Sequence, residues 1–149
     1  MTLPSTILVP TDFGEGSDAA IAYAVELAKV IGAELVVLHT YEIPVVGFPD
    51  GTLVATAELT TRVLEGARTG LAGIATKLEP SGVRVRTLVK QGDTWRTILE
   101  VADEVSAGLI VMGTHGRRGL PRALLGSVAE KVVRTASCPV LTVRAAAST

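Results

Sequence analysis

Leu109-Ile110-Val111-Met112-Gly113-Thr114-His115-Gly116 passes from four apolar residues into a glycine-bounded turn. An apolar run without polar alternation is the pattern of a strand covered on both faces, as parallel strands are. Turn formers continue to Gly126-Ser127, where a short helix is expected to begin. Outward from this unit the same alternation recurs. Thr6-Ile7-Leu8-Val9 reads as a strand closed by Pro10, which cannot continue a central strand. A helix follows from about Ser17, whose hydroxyl can cap the first turn, with Ala20, Ala24, Leu27, Ala28 and Ile31 as its stripe and Gly32 as its C-cap. Leu35 to His39 is a second strand. Ile43 to about Thr52 reads as a loop and Leu53 to Glu79 as a long helix, in which Gly66, Gly70 and Gly73 are poor helix formers. Val83 to Val89 alternates apolar residues with Arg84 and Arg86, which suits a sheet edge. Asp93 or Thr94 caps a further helix with Ile98, Leu99, Ala102 and Val105 inward, and Val140 to Val143 is the last strand. Strands and helices in strict alternation predict an α/β fold: a single-domain, doubly wound, Rossmann-like sheet of five parallel strands with helices on both faces. The domain is expected to span residues 1–149, with Ala145 to Thr149 as a frayed tail.

Composition bounds the function. The 149 residues are 48% hydrophobic and 19% charged, which excludes a disordered tail or a solvating linker. A lone cysteine, Cys138, excludes a disulfide framework and reads as a small buried residue rather than a redox centre. Fourteen basic against 15 acidic residues, a net of −1, argue against nucleic acid and against an anionic membrane as partners. No apolar stretch approaches the ~18–20 residues that span a bilayer. No basic leader precedes Asp12, so a cytoplasmic location is expected. The charge is unevenly spread. Residues 113–149 hold six bases and one acid, and three of those bases, Arg117, Arg118 and Arg122, fall inside the glycine-rich loop.

Ligands of doubly wound sheets sit beyond the carboxyl ends of the strands where the winding reverses, so the loops after the first and fourth strands carry the interest. In the latter, glycines let a ligand approach main-chain N–H groups, and the helix start at Gly126-Ser127-Val128 offers unpaired N–H groups to an anion. One phosphate would lie against Gly113 to Gly116 and another against Gly126 and Ser127. Arg117 and Arg118 would neutralise from outside, His115 would stand just behind the phosphates, and Met112 and Val128 would flank the loop. Ser127-Val128-Ala129-Glu130 also matches a capping box, and one hydroxyl can serve both purposes. The loop is not a Walker A motif, because no lysine separates Gly126 from Ser127. Binding is therefore expected without rapid phosphoryl transfer. At the first loop, Asp12 follows the strand directly, where it would cap the turn or accept bonds from a ligand.

Gly113-x-x-Gly116, nine residues, then Gly126-Ser127 resembles the ATP-binding signature of the universal stress protein family. Ile7-Leu8-Val9-Pro10-Thr11-Asp12-Phe13, Val37-Leu38-His39 and Cys138-Pro139-Val140-Leu141 stand in the family's order. The resemblance implies the ATP-binding branch, with Pro10, Thr11 and Asp12 lining the nucleotide and Asp12 near the ribose or a phosphate-bound Mg²⁺. It also implies main-chain contacts from Thr40 to adenine and a homodimer paired through Val140 to Val143. Two positions depart from the pattern: Gly108 stands where an Asp is common, and Gly14 where a Ser is. The expected function is an ATP-binding stress-response or regulatory protein, a nucleotide-dependent homodimeric switch with at most slow ATP hydrolysis.

Two alternatives compete. Gly14-x-Gly16-x-x-Ala19 with Glu42 beyond it matches a dinucleotide fingerprint and would make the chain an NAD-binding oxidoreductase fragment. Against this, Pro10 to Phe13 intervene between strand and glycine, and Asp12, Glu15 and Asp18 would crowd a pyrophosphate. The other alternative is an interaction module with a vestigial nucleotide site. His39 reads as a structural histidine ending a strand, and no nucleophile–base pair is visible.

Overall fold

The computed structural model describes residues 2–43, 45–115 and 125–145. In chain order these form β1 (Thr6–Pro10), α1 (Glu15–Ile31), β2 (Glu34–Tyr41), β3 (Val45–Gly47), β4 (Leu53–Ala55), α2 (Ala57–Leu78) and a 3₁₀ turn (Glu79–Ser81). There follow β5 (Val85–Gln91), α3 (Thr94–Glu104), β6 (Leu109–Gly113), α4 (Ser127–Thr135) and β7 (Val140–Val143). Five strands make one parallel sheet in the order β5-β2-β1-β6-β7. The winding runs outward from β1 through β2 to β5 and then reverses to β6 and β7, so the switch point lies between β1 and β6. The expected doubly wound α/β sheet is the one observed.

The two-residue period of the strands sorts the core onto two faces. Ile7, Val9, Leu35, Val37 and Val111 pack with Ala20, Ala24 and Ala28 of α1 and Leu71 of α2. Leu8, Val36, Leu38, Ile110 and Met112 pack on the other face with Ile98 and Val101 of α3 and Ala129 and Val132 of α4. β5 is an edge, as the arginine alternation predicts, and Glu34 on β2 is reached by Arg86 of β5 (Nε at 3.1 Å) and by Arg84 just before it (Nε at 3.3 Å). No helix among the described residues is long and apolar enough to cross a membrane.

Three expectations need correction. The region expected as a loop and the start of a long helix instead holds the antiparallel pair β3–β4, and α2 begins only at Ala57. Phe48-Pro49-Asp50-Gly51-Thr52 turns between these strands, with Thr52 N–H donating to Asp50 Oδ1 at 2.9 Å and Gly51 at φ 87°. Thr56 caps α2 by accepting from Leu59 N–H at 3.2 Å, and that cap fixes the true start of the helix. Second, α1 begins at Glu15 with Gly14 at its N-cap, so Ser17 lies inside the first turn and does not cap it. Third, β5 starts and ends two residues later than the alternation suggests, at Val85 and Gln91.

The α2 glycines do not disrupt the helix, and they are not equivalent. A β-carbon at Gly73 would meet nothing within 4 Å, whereas one at Gly70 would fall 2.7 Å from the Phe13 ring. Gly73→Ala is expected to raise Tm by about 3 °C, from about 1 kcal/mol of helix propensity. At Gly70 that gain is offset by overpacking of about 1–3 kcal/mol, so Gly70→Ala lowers Tm. Thermal denaturation of the two variants gives opposite signs, and equal shifts would refute the contact.

Candidate functional site

A cavity of about 490 Å³ opens at the switch point, a size ordinary for a small-molecule site. Its walls come from the ends of β1 (Pro10, Thr11, Asp12), β2 (Leu38, His39, Thr40) and β6 (Met112, Gly113, Thr114, His115) and the starts of α3 (Thr94, Ile98) and α4 (Gly126, Ser127, Val128, Ala129). Ser17 of α1 completes the lining. The structure thus gathers Pro10, Thr11, Asp12, Thr40, Met112, Gly113, His115, Gly126, Ser127 and Val128 around one space. Gly116, Arg117 and Arg118 lie outside the described residues. Among the described residues the lining contains no Lys or Arg, so its positive potential comes from helix starts.

The β1–α1 turn is locked by a chain of polar contacts. Phe13 N–H donates to Thr11 Oγ1 at 3.0 Å, and Thr11 Oγ1 lies 3.1 Å from Ser17 Oγ. Ser17 Oγ–H donates to Asp12 Oδ1 at 2.9 Å, and Gly14 N–H donates to the same oxygen at 2.8 Å. Asp12 therefore closes the turn through Oδ1, while Oδ2 makes no hydrogen bond among the described residues. One carboxylate can thus hold its turn and still meet a ligand. His39 Nδ1–H donates to Thr11 O at 2.8 Å, and its ring lies 4.4 Å from that of Phe13. The structural reading of His39 holds, although the residue also lines the cavity. Phe13 itself has φ 64°, a left-handed conformation that costs a non-glycine residue about 1–2 kcal/mol.

The α4 start corrects the capping box. Gly126, not Ser127, is the N-cap, and Ser127 is the first helical residue, with no side-chain bond to the helix. Gly126 takes the extended N-cap conformation because its own N–H donates to Thr114 O at 2.7 Å. The first N–H groups of α4 consequently have no side-chain cap among the described residues, and Ser127 is exposed at the cavity wall. α1 and α3 also start at this edge without a side-chain cap on the helix N–H groups, whereas α2, which starts elsewhere, has one.

The glycines serve the backbone before any ligand. A β-carbon on Gly113 would lie 2.8 Å from the Gly16 carbonyl carbon, one on Gly16 2.6 Å from His115 O, and one on Gly126 2.9 Å from Thr114 O. This three-way contact brings the start of α1 against the end of β6. It also explains Gly16 without a pyrophosphate. His115 Nδ1 pairs with Thr114 Oγ1 at 2.9 Å, and its Nε2 is buried without a partner among the described residues. Cys138 is half-buried, and burial pushes its thiol pKa up, which fits a packing residue rather than a reactive one. No cluster of three or more metal-ligating side chains occurs among the described residues.

Thr94, Ile98, Ser17 and Thr114 line the cavity although the sequence reading did not name them as ligand contacts. Thr94 was legible in principle: β5 lies beside β2, so the loop after the third strand of the sheet also ends at the occupied edge.

The model of the universal stress protein family matches residues 4–144. Universal stress protein MJ0531 of Methanocaldococcus jannaschii is 38% identical over 140 residues, covering 93% of this chain and 81% of its own. The solved structure of MJ0577, from the same organism, superposes with a TM-score of 0.80 at 26% identity, covering 97% of this chain and 98% of that one. A universal stress protein solved in complex with cyclic AMP gives a TM-score of 0.71 at 25% identity, with 97% of this chain and 100% of that one covered.

Proposed function

This chain belongs to the universal stress protein family, and from that premise we propose that its cavity binds an adenine nucleotide, ATP foremost, and that the protein acts as a nucleotide-dependent regulatory switch. The observation that carries the reading is the uncapped start of α4, with Ser127 exposed, opening onto the cavity at the sheet's switch point. Such a helix start attracts phosphate through unpaired N–H groups and the helix dipole. The cyclic AMP complex of a structural relative supports an adenine nucleotide as the class of ligand.

The residues that would hold the ligand divide by chemistry. Gly113, Gly126, Ser127 and Val128 would take phosphate through main-chain N–H groups and one hydroxyl, with Gly116, Arg117 and Arg118 of the same loop completing the site. His115 would stand behind them. Pro10, Thr11 and Asp12 would line the sugar, and Thr40 and Met112 the base. Mg²⁺ fits Asp12 as a lone carboxylate beside phosphates, a usual arrangement for this ion. His39 is committed to Thr11 O, and His115 Nδ1 to the buried Thr114 hydroxyl beside it, so neither Nδ1 is available to a water in the cavity. The reading includes slow ATP hydrolysis at most. Residues 1–149 would form this one binding unit, located in the cytoplasm. The exposed edge of β7 suits pairing with a second copy of the chain into a homodimer, since unpaired strand edges template such pairing.

Melting nucleotide-free protein with and without MgATP, AMP, cyclic AMP and NAD tests the reading. A ligand at a hundred times its Kd adds about 2.7 kcal/mol, which raises Tm by roughly 5–10 °C. A rise with ATP and none with NAD is expected. The absence of a shift with every adenine nucleotide would overturn the proposal and leave an interaction module in its place.

A further inference from the structure

We propose that Thr94 selects the base of the bound nucleotide by donating its hydroxyl proton to a ring-nitrogen acceptor. The inference rests on the reading that the cavity takes an adenine nucleotide with its phosphates at the start of α4.

The sheet sets the two ends of the site. α4 follows β6, whereas Thr40 is the penultimate residue of β2 and Thr94, which opens α3, lies within hydrogen-bond distance of it. β1 stands between β2 and β6, so two strand spacings, about 10 Å, separate the phosphate end from the Thr40–Thr94 end. A nucleotide anchored by its phosphates at α4 and laid across β1 brings its base to Thr94. The lining between the two ends includes Leu38, Ile98 and Met112, all nearly or fully buried in the core on that face. Apolar side chains of this kind accept the face of a flat ring and repel phosphate.

The polar side chains at the base end are His39, Thr40 and Thr94. His39 directs its Nδ1 proton to Thr11 O. Thr40 Oγ1–H donates to Thr94 Oγ1 at 3.1 Å. A hydroxyl has one proton and two lone pairs, so Thr40 has used its only donor. Thr94 has accepted that bond and keeps its own proton, for which the described residues offer no acceptor. The pair therefore presents the cavity with one oriented donor, held from behind by Thr40. Purine ring nitrogens are acceptors of the right kind.

The test is a chemical double-mutant cycle, read by calorimetric titration of ATP and of 1-deaza-, 3-deaza- and 7-deaza-ATP into wild-type, Thr94→Val and Thr94→Ser protein. Valine keeps the shape and removes the hydroxyl, and serine keeps the hydroxyl. Thr94→Val is expected to weaken ATP roughly three- to tenfold, the worth of one net hydrogen bond, while Thr94→Ser stays within about twofold of wild type. One of the three analogues is expected to bind wild type and Thr94→Val equally, because it lacks the nitrogen that receives the proton. If Thr94→Val binds ATP as wild type does, the selector role is overturned and the nucleotide site stands. If Thr94→Val weakens ATP and all three analogues by one factor, Thr94 only shapes the helix start, and the proposal is equally overturned. If wild type binds none of the four, the nucleotide reading fails and this inference fails with it.

Discussion

Gly113→Ala is expected to lower Tm by about 9 °C in protein that holds no nucleotide at all. The added β-carbon would sit 2.8 Å from the carbonyl carbon and 2.9 Å from the carbonyl oxygen of Gly16, and both are backbone atoms inside the first turn of α1. No rotamer change relieves such a contact, so β6 and α1 must move apart. Overpacking of this kind costs about 3 kcal/mol, and a domain of this length loses roughly 3 °C per kcal/mol. Gly126→Val meets the same obstacle at Thr114 O, 2.9 Å from its β-carbon, and would destabilise the free protein before it blocked any phosphate. Differential scanning calorimetry of the ligand-free variants decides the matter. An unchanged Tm for Gly113→Ala, with nucleotide binding lost, would return the glycines to a purely ligand-facing role.

Asp12→Ala is expected to weaken MgATP about a hundredfold, and Asp12→Asn about tenfold. Charge-assisted hydrogen bonds contribute about 1.5–3 kcal/mol, and each 1.4 kcal/mol is a factor of ten. The two variants differ in the turn. Asparagine keeps an oxygen for the N–H of Gly14 and the hydroxyl of Ser17, whereas alanine leaves the Gly14 N–H without its acceptor and the Ser17 hydroxyl only Gly14 O at 3.0 Å and Thr11 Oγ1 at 3.1 Å. Asp12→Ala therefore also loses about 1 kcal/mol of stability without ligand, the typical worth of such a cap, and Asp12→Asn retains it. Titration calorimetry paired with melting separates the two effects. Wild-type affinity in both variants would place the ligand away from the β1–α1 turn.

Much of this architecture is legible in periodicity alone. Unbroken apolar runs at Ile7, Leu35 and Leu109 identify buried parallel strands, Val140 to Val143 forms the half-buried edge strand β7, and the arginine alternation at 84 and 86 marks the opposite edge. What escapes is what depends on contacts distant in sequence. The box Ser127–Glu130 has the right letters, but Gly126 is drawn into the N-cap by its bond to Thr114 O. Ser17 looks like a cap and is instead the donor that completes the Asp12 turn. The strands β3 and β4 have three residues each, too short for a period to register, although Pro49-Asp50-Gly51 signals the turn between them. The candidate site was readable at β1 and β6 because the reversal rule points there. The contribution of α3 was missed because that rule was applied to two loops, while the cavity also touches a third.

Phe13 ties the turn at the cavity to the core on the α1–α2 face of the sheet. Its neighbours in the chain, Thr11 and Asp12, face the cavity, yet its ring packs with the opposite core, against His39 and the Gly70 position of α2. A left-handed phenylalanine returns to ordinary backbone geometry once that packing is released. A ligand that reset the Asp12 turn would be felt first at this ring and, through it, at the Gly70 position of α2. If the two are coupled, thermodynamic reciprocity requires that displacing α2 alter affinity at the other side of the sheet by the same factor. Glycine at position 70 is what leaves room for the ring, so the contact between turn and helix depends on that one residue.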